Sequence, residues 1–413
     1  MTIHPLFKAF REFRGNARAA VLTEPLWGIP YSLFISYLSS YMLALGLDDR
    51  EIGLVASIGL AFQILTAWLS GAITDKLGRR RTTLIFDTLA WGVPCVVWAA
   101  SQNVYWFAFA AIMNSFWRMG MNSWPLLLAE DTDPALLADI YSWTYIFAVS
   151  ASLFTPLTGV LVQQMTLVPA LRLVFGICAV IMTAKFLLQY FMSHETAQGK
   201  VRMEQTRGQH LFTLLSGYGL VFRHMQRAPQ TMFTLAILII NTICNMISNT
   251  FWSVLVTQKL QLPPQWISAF PFARAIFVLI FFFTILPLLR NFPFRIPMMA
   301  AYAGFILSQF ILVSMNSLHY GWLIFSVFLE ACSYACISPQ IDRLMFVTTD
   351  PQERARIISI MWMGAILVST PFGWIAGELS ELNRIYPFLL SMGLLLLGGI
   401  LVYISTQKMP ELA

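Results

Sequence analysis

The sequence predicts an all-α polytopic membrane protein with twelve transmembrane helices in two pseudo-symmetric six-helix bundles. Three observations predict this fold class: an extreme apolar composition, twelve apolar runs of membrane-spanning length, and an internal repeat. The 413 residues are 58% hydrophobic and only 11% charged, with a mean hydropathy of +0.68. Soluble domains carry about 25% charged residues, so this chain cannot cover a water-facing surface. A soluble enzyme is therefore excluded.

The apolar runs give the positions of the spans. A helix needs about 20 apolar residues to cross the hydrocarbon layer, and lipid requires every backbone group to be satisfied within the helix. We number the runs as spans 1 to 12; they lie at 26–46, 52–72, 82–101, 105–128, 141–163, 168–192, 230–256, 265–289, 296–316, 320–347, 357–377 and 385–405.

The cations in the loops predict the orientation. Of the 26 Lys and Arg residues, 18 lie on the side of the termini, whereas the opposite loops offer only Arg50, Lys259 and Arg384. Because cytoplasmic loops carry the excess of Lys and Arg, both termini are predicted to be cytoplasmic, in a plasma (inner) membrane. The net charge of +6 then reflects these loops and gives no reason to expect a nucleic-acid partner.

The longest connection divides the chain into halves. We expect an N-terminal six-helix bundle at 1–192, a cytoplasmic linker at 193–229 and a C-terminal six-helix bundle at 230–413. The early part of the linker is polar and predicted to be mobile, the later part offers an apolar face, and the linker as a whole is predicted to rest on the bilayer. Phe7, Phe10 and Phe13 alternate with cations, which is typical of an amphipathic helix on the membrane surface.

The two halves repeat one pattern. Residues 133–142 and 350–359 both read Asp-Pro and then Ala-x-Ile-x-Ser, at the same position within each half. Thr155-Pro156 in span 5 is matched by Thr370-Pro371 in span 11. Transporters use such repeated units to build two alternative packings around a shared midplane site.

The sharpest motif lies between spans 2 and 3 and reads Gly71-Ala-Ile-Thr-Asp75-Lys76-Leu-Gly78-Arg79-Arg80. It resembles the signature loop of the major facilitator superfamily, G-x-x-x-D-R/K-x-G-R-R/K, in the place where that family has it. Pro156-x-x-Gly159 resembles part of the family's antiporter motif, with Thr155 where a glycine is usual. The resemblance implies the twelve-helix fold of that superfamily and a transporter.

The signature loop is predicted to form a cytoplasmic gate. Glycines permit close helix approach and tight turns, an aspartate suits a helix N-terminus, and arginines are fork-shaped donors for carboxylates. The alternative is that the arginines only anchor the topology. The resemblance implies a latch that closes when the cavity faces outward. The gate residues are Gly71, Asp75, Lys76, Gly78, Arg79, Arg80 and Glu130.

Polar side chains recur every fourth residue in spans 1, 4, 7 and 10, so each set shares one helix face. The resemblance implies that these four spans line a central cavity. The predicted cavity and substrate-binding residues are Tyr31, Ser36, Asn114, Arg118, Asn122, Asn241, Asn245, Arg274, Glu330 and Tyr334.

Two alternatives stay open for these residues. The asparagines of span 7 can instead hydrogen-bond between helices and only hold the bundle together. Arg274 lies at a depth similar to that of Glu330, so the two can form a structural ion pair. The predicted proton-coupling residues are Glu330, Asp87 and Asp342.

The predicted function is secondary active transport by alternating access, coupled to protons, with export of a small organic or amphipathic solute. The alternatives are uptake of a sugar-like or anionic metabolite, with Arg118 as the anion's partner, and a lipid flippase of the same fold. No Walker loop occurs, and all five histidines lie in or beside polar connections. We therefore expect that the protein is not an enzyme and binds no cofactor or metal. It is also predicted to be a monomer, with a small-molecule substrate, protons and the lipid bilayer as its partners.

Overall fold

The computed structural model describes residues 10–133, 136–210, 228–285, 292, 295–349 and 354–407. Every regular element within these ranges is helical, and ten helical segments are long and apolar enough to cross a membrane. The chain is thus a multi-pass membrane protein. Phe7, the Asp-Pro repeat at 350–353 and the later linker at 211–227 lie outside the described residues.

Twelve spans can be followed within these described ranges, some of them broken into shorter helices. A helix before span 1 and a helix after span 6 are additional. In chain order the helices are Gly15–Thr23, Pro25–Phe34, Leu38–Ala44, Asp49–Leu77, Arg79–Asp87, Val93–Ala100, Val104–Asn114, Trp117–Ala129, Leu137–Ala151, Pro156–Met165, Leu167–Met192, Ala197–Gln205, Pro229–Gln258, Ala269–Thr284, Arg295–Ser314, Tyr320–Val347, Arg354–Leu382 and Tyr386–Gln407.

Breaks in the spans have local chemical causes. Proline has no N–H and cannot bond the carbonyl four residues earlier. In span 3, Pro94 leaves the carbonyl of Ala90 free within a π-helical turn at Thr88–Gly92, and Asn114 Nδ2 donates to that oxygen at 2.8 Å. In span 5, the hydroxyl of Thr155 donates to the carbonyl of Ser152 at 2.8 Å, just before Pro156. Polar side chains thus satisfy groups that the breaks release.

The chain forms two compact units. Unit 1 comprises Met1–Ile35 and Phe62–Ser216, and unit 2 comprises Ser36–Ala61 and Gly217–Ala413. Residues 36–61, the end of span 1 and the start of span 2, therefore belong with spans 7 to 12, although the sequence assigns them to the first half. The helix Asp49–Leu77 begins in unit 2 and ends in unit 1.

The N-terminal helix packs on protein. Phe13 is 2% exposed and belongs to a small apolar cluster with Val21, Leu128 and Ile140 of unit 1. The prediction that this phenylalanine faces the membrane surface is therefore wrong, because its ring covers the ends of spans 4 and 5. The main core of unit 2 is built from spans 7 to 12, with Cys244, Tyr302 and Met361 among its buried members.

Candidate functional site

Arg79 is the centre of the signature loop. Its Nη1 lies 3.2 Å from Asp75 Oδ1, and its Nη2 lies 3.0 Å from Glu130 Oε1. The Nε of Arg79 also donates to both oxygens of Glu130, at 3.2 and 3.1 Å. Charge-assisted bonds in this forked geometry are stronger than neutral ones. The structure therefore brings together the three residues that the resemblance assigns to the gate.

Gly78 makes the turn between spans 2 and 3. Its φ is +84°, a conformation that favours glycine, and a Cβ at this position would overlap the carboxylate of Glu195. That carboxylate accepts the backbone N–H groups of Arg79 at 2.9 Å and Arg80 at 3.1 Å. Glu195 thus satisfies the N-terminus of span 3, where negative charge is stabilising.

The start of the linker is fixed on the gate. Thr196 accepts the N–H of Gly199 at 2.9 Å, which caps the helix Ala197–Gln205, and its hydroxyl donates to Glu130. Arg202 Nη2 lies 2.7 Å from Asp75 Oδ2, and this bond and the attraction of that carboxylate raise the pKa of Arg202. We call residues 195–206 the linker strap. These bonds contradict the expectation that the early part of the linker is mobile.

Other gate residues have distinct surroundings. Asp75 is paired with two arginines and not with a helix N-terminus. Arg80 Nε donates to the backbone carbonyl of Tyr190 at 2.9 Å, and the guanidinium carbon of Arg80 lies 3.8 Å from the centroid of the Tyr190 ring. Lys76 has no ion pair among the described residues. A Cβ at Gly71 would meet only Asn122 Nδ2, at 3.8 Å, so close packing does not require glycine there.

Arg118 lies in span 4 just after the break at Asn114. Its Nε donates to Gln63 Oε1 at 3.0 Å, and its guanidinium carbon lies 4.1 Å from the centroid of the Trp117 ring. No carboxylate forms a salt bridge with Arg118 in the described parts of the chain. A cation inside a span is therefore held by a neutral amide and an aromatic face.

The neighbours of Arg118 in the polar stripe differ from it. Asn114 is used to satisfy the carbonyl of Ala90, so it joins spans 3 and 4. Asn122 is partly buried beside Gly71. In span 1, Tyr31 stacks on Trp27 with ring centroids 5.1 Å apart, and Ser36 lies in the 3-10 turn that belongs to unit 2.

Glu330 and Arg274 form an ion pair within unit 2. Glu330 Oε2 lies 2.8 Å from Arg274 Nη2, and the two side chains are 10% and 37% exposed. The pairing that the sequence left open is thus present. Tyr334, one turn further along span 10, is 45% exposed, and Asp342 is exposed near the end of that span.

Asn241 belongs to the core of unit 2. It is 5% exposed, and its Nδ2 donates to the hydroxyl of Tyr302 at 2.5 Å and to the carbonyl of Ile237 at 2.8 Å. Asn245 donates to the carbonyl of Asn241 at 2.9 Å. The bond to Tyr302 joins spans 7 and 9, which matches for Asn241 the alternative that the asparagines of span 7 hold helices together, whereas the bond of Asn245 stays within span 7.

Spans 2 and 11 meet within unit 2 at a contact that the sequence did not predict. A Cβ at Gly53 would overlap the carbonyl oxygen of Gly373 and lie 2.8 Å from the Cα of Gly377. We call these three residues the glycine contact. One turn away, Ser57 Oγ donates to the carbonyl of Thr370 and accepts the N–H of Trp374, both at 2.7 Å.

Asp49 completes the junction between spans 2 and 11. Its carboxylate is 1% exposed, accepts the hydroxyl of Ser380 at 2.6 Å and lies 3.5 Å from Arg384 Nε. At the surface, Arg50 Nε lies 3.2 Å from Glu378 Oε2. The junction therefore combines direct backbone packing with one buried carboxylate and one exposed ion pair.

Two curated relatives cover part of the chain. It is 26% identical over 202 residues to the multidrug resistance protein MdtG of Yersinia enterocolitica, a match that covers 48% of each protein. It is 26% identical over 159 residues to the monosaccharide-sensing protein 3 of Arabidopsis thaliana, which covers 38% of this chain and 22% of that protein. The chain thus matches less than half of the length of either relative.

Solved structures match over nearly the whole chain. The nucleoside transporter NupG aligns with a TM-score of 0.71 at 17% identity, covering 95% of this chain and 99% of that one. A peptide transporter POT in complex with sulfate aligns with a TM-score of 0.72 at 16% identity, covering 96% and 95%. At these identities the likeness shows the fold alone. The family model described as Major Facilitator Superfamily matches residues 26–369, and the chain therefore belongs to the major facilitator superfamily, a family of transporters of small molecules and not of enzymes.

Proposed function

We propose that this transporter is coupled to protons, works by alternating access and exports a small organic or amphipathic solute as a monomer. We place it in the plasma (inner) membrane with both termini cytoplasmic and propose that residues 1–192 and 230–413 are the two repeated halves. The complete signature loop supports alternating access, and the likeness to a multidrug resistance protein of Yersinia supports export of organic solutes.

The observation that carries this proposal is the set of partners of the Arg118 side chain, which includes no carboxylate among the described residues. A charge at the bilayer centre costs about 2.5–3.5 kcal/mol on insertion scales, so it is kept where it has a use. A purely structural arginine would be expected beside a carboxylate, whereas Arg118 has Gln63 and Trp117. We propose that Arg118 faces the solute, together with Tyr31, Ser36, Asn122, Asn245 and Tyr334.

Substitution of Arg118 tests this role. Inverted membrane vesicles energised by a pH gradient are assayed for uptake of an amphipathic dye, with a protonophore as the coupling control. Arg118→Ala is expected to abolish uptake while the protein keeps its expression and melting temperature. The matched control is Arg172→Ala, which removes a cation that donates to the carbonyl of Ser101 at 3.2 Å. Normal uptake by Arg118→Ala would remove this residue from the proposed site.

The coupling residue is tested separately. Glu330, Asp87 and Asp342 are the proposed proton carriers, and Glu330→Gln keeps the shape of the side chain while removing its charge. If Glu330 carries the proton, this variant loses the dependence of dye uptake on the pH gradient. If Glu330 and Arg274 serve only as an ion pair, uptake keeps its pH dependence and the protein melts at a lower temperature.

A second candidate function is uptake of an anionic or sugar-like metabolite. The observation that favours it is the same guanidinium of Arg118, which has a neutral amide and an aromatic ring as its partners, since arginine binds carboxylates and phosphates in a forked geometry. Counterflow of a labelled organic acid, blocked in Arg118→Ala and slowed in Arg118→Lys, would favour this function over export of the dye. Transfer of a fluorescent lipid between leaflets, with neither of these activities, would indicate the flippase.

A further inference from the structure

A second ionised cluster lies in unit 1, apart from the gate and from Arg118. It consists of Glu24 before span 1, Asp87 in span 3 and Lys185 in span 6, and we call it the buried triad. Lys185 Nζ lies 3.8 Å from Glu24 Oε2, and the two side chains are 3% and 14% exposed. Asp87 is 7% exposed. All three ionisable groups are thus withdrawn from solvent.

Lys185 is only weakly satisfied. Its distance of 3.8 Å from Glu24 is longer than a hydrogen bond, and its other close partner is the ring of Phe186, 4.8 Å from Nζ. No hydrogen-bond acceptor of the ammonium is found among the described residues. A buried salt bridge stabilises a protein only when its geometry is good and its remaining groups are bonded. Packing alone therefore does not explain why a charge is kept at this position.

Asp87 is buried without a hydrogen bond from any described residue. Its carboxylate is pressed against the backbone of span 4, where a Cβ at Gly120 would overlap Oδ1. The charged groups that act on it come from two other elements: Lys185 of span 6 attracts the carboxylate and Glu24 repels it. Buried polar groups are normally bonded, so an unbonded carboxylate calls for a function.

The charges of the triad do not balance. Two ionised carboxylates and one ammonium leave one negative charge in a region of low dielectric. Two carboxylates that share such a site do not readily ionise together. One added proton makes the cluster neutral, with one carboxylate left to pair with Lys185.

The surroundings suit proton movement. The π-helical turn of span 3 begins directly after Asp87, and such turns are frequent at functional sites. Gln189 lies one helical turn from Lys185 on the same face of span 6. It is 2% exposed, and no described residue forms a hydrogen bond with its Nε2 or its Oε1. The next residue, Tyr190, bonds Arg80 of the gate. Polar groups therefore continue from the triad towards the signature loop.

We propose that the buried triad binds one proton, held on Asp87 or Glu24, with Lys185 as the fixed counter-ion. The proton adds to a carboxylate oxygen, leaves from the same atom, and no other bond changes. Its role as the coupling ion rests on the transport function proposed above, whereas its binding does not. Glu330 differs, because Arg274 already occupies its carboxylate at 2.8 Å.

Infrared difference spectroscopy of the purified protein in lipid, without any solute, tests the binding. The probe is the proton itself, and the signal is the C=O stretch of a neutral carboxylic acid between alkaline and neutral pH. The wild-type protein is expected to show one such band at neutral pH. Asp87→Asn and Glu24→Gln should each lose it, because the remaining carboxylate then pairs with Lys185.

Lys185→Gln distinguishes proton binding from a structural role. With the cation removed, both carboxylates are expected to hold protons at neutral pH, so the band should double. Glu378→Gln, at an exposed ion pair, is the control and should leave the band unchanged. The proposal is overturned if the wild-type protein has no band at neutral pH, or if the band persists in both Asp87→Asn and Glu24→Gln. Because no solute is present, failure of dye transport leaves this result unaffected.

Discussion

The two ends of span 2 are attached to the molecule by different chemistry. The end at Leu77 leads into the gate, where Arg79, Asp75, Glu130 and Arg202 form a network of charges within unit 1. The end at Asp49 lies in unit 2, where the glycine contact brings the backbones of spans 2 and 11 together. The first attachment is made by long side chains, whereas the second adds direct main-chain packing to the side-chain bonds of Asp49 and Arg50.

This difference indicates how each attachment can be released. A charge network can exchange its partners, since Asp75 already binds two arginines at once. Direct backbone packing cannot exchange partners in this way, because two main chains in contact can only stay together or separate. In the alternating access that we propose, the gate would therefore be adjusted by charge, and the glycine contact of spans 2 and 11 by shape.

Removing Arg79 should have the largest effect on the free energy of unfolding. The side chain is 5% exposed and its loss leaves two carboxylates without their shared cation. Breaking a buried pair by removing one partner costs about 3–5 kcal/mol. We expect Arg79→Ala to lower the free energy of unfolding by that amount in denaturant titrations. Arg81→Ala, at an exposed neighbour, is the control; equal losses in both variants would contradict the network.

A methyl group at Gly53 is the next largest change. Gly53→Ala places a Cβ into the carbonyl of Gly373, and overpacking of a tight contact costs about 1–3 kcal/mol. Gly393→Ala is the matched control, since a Cβ at that helical glycine has no neighbour within 4 Å. The control should be neutral or slightly more stable, because alanine favours helix over glycine. If both variants melt alike, spans 2 and 11 are not in close contact.

Neutralising Asp49 separates charge from shape at the same junction. Asp49→Asn keeps an oxygen for the hydroxyl of Ser380 but loses the charge that faces Arg384. A hydrogen bond to a charged group exceeds a neutral one by about 1 kcal/mol, and we expect a loss of that size in thermal unfolding. The control is Asp48→Asn, at an exposed residue that accepts the N–H of Glu51. Asparagine caps a helix as well as aspartate does, so this variant should not change.

The exposed pair at Arg50 should matter least. Its side chains are 52% and 39% exposed, and such pairs contribute about 0–1 kcal/mol. Arg50→Gln should therefore change the melting temperature only slightly, and Arg50→Gln with Glu378→Gln should show little coupling in a double-mutant cycle. A coupling that rivals the effect of Gly53→Ala would show that charge, and not shape, holds this junction.

Most of the fold could be predicted from local sequence. Apolar runs of sufficient length determine the spans. The breaks are harder to predict, because helices break near Pro94 and Pro156 but continue through Pro125 and Pro371. The resemblance predicted the partners of Arg79, because Asp75 lies one turn away within the motif and Glu130 lies at the end of span 4. The assignment of residues 36–61 to unit 2 could not be predicted, since it depends on packing with span 11.

The missed site residues have partners that are distant in sequence. Asp49 and Ser380 are separated by 331 positions, and Glu195 bonds Arg79 across 116. Periodicity found the polar faces of spans 4 and 7, but it could not tell that Asn114 bonds a carbonyl released by a proline or that Asn241 bonds a buried tyrosine. The spacing of polar residues along one helix shows which face of that helix is polar. It does not show which residue or backbone group that face contacts.

The hydroxyl of Ser57 has a consequence for how spans 2 and 11 can part. It bridges the N–H of Trp374 and the C=O of Thr370, the two groups that an unbroken helix would join directly. Should span 2 withdraw, these two groups can bind each other, so the number of satisfied backbone groups stays the same. Separation would then leave this turn of span 11 fully bonded, and the polar cost of parting would fall instead on Asp49 and Ser380 at the far end of the interface.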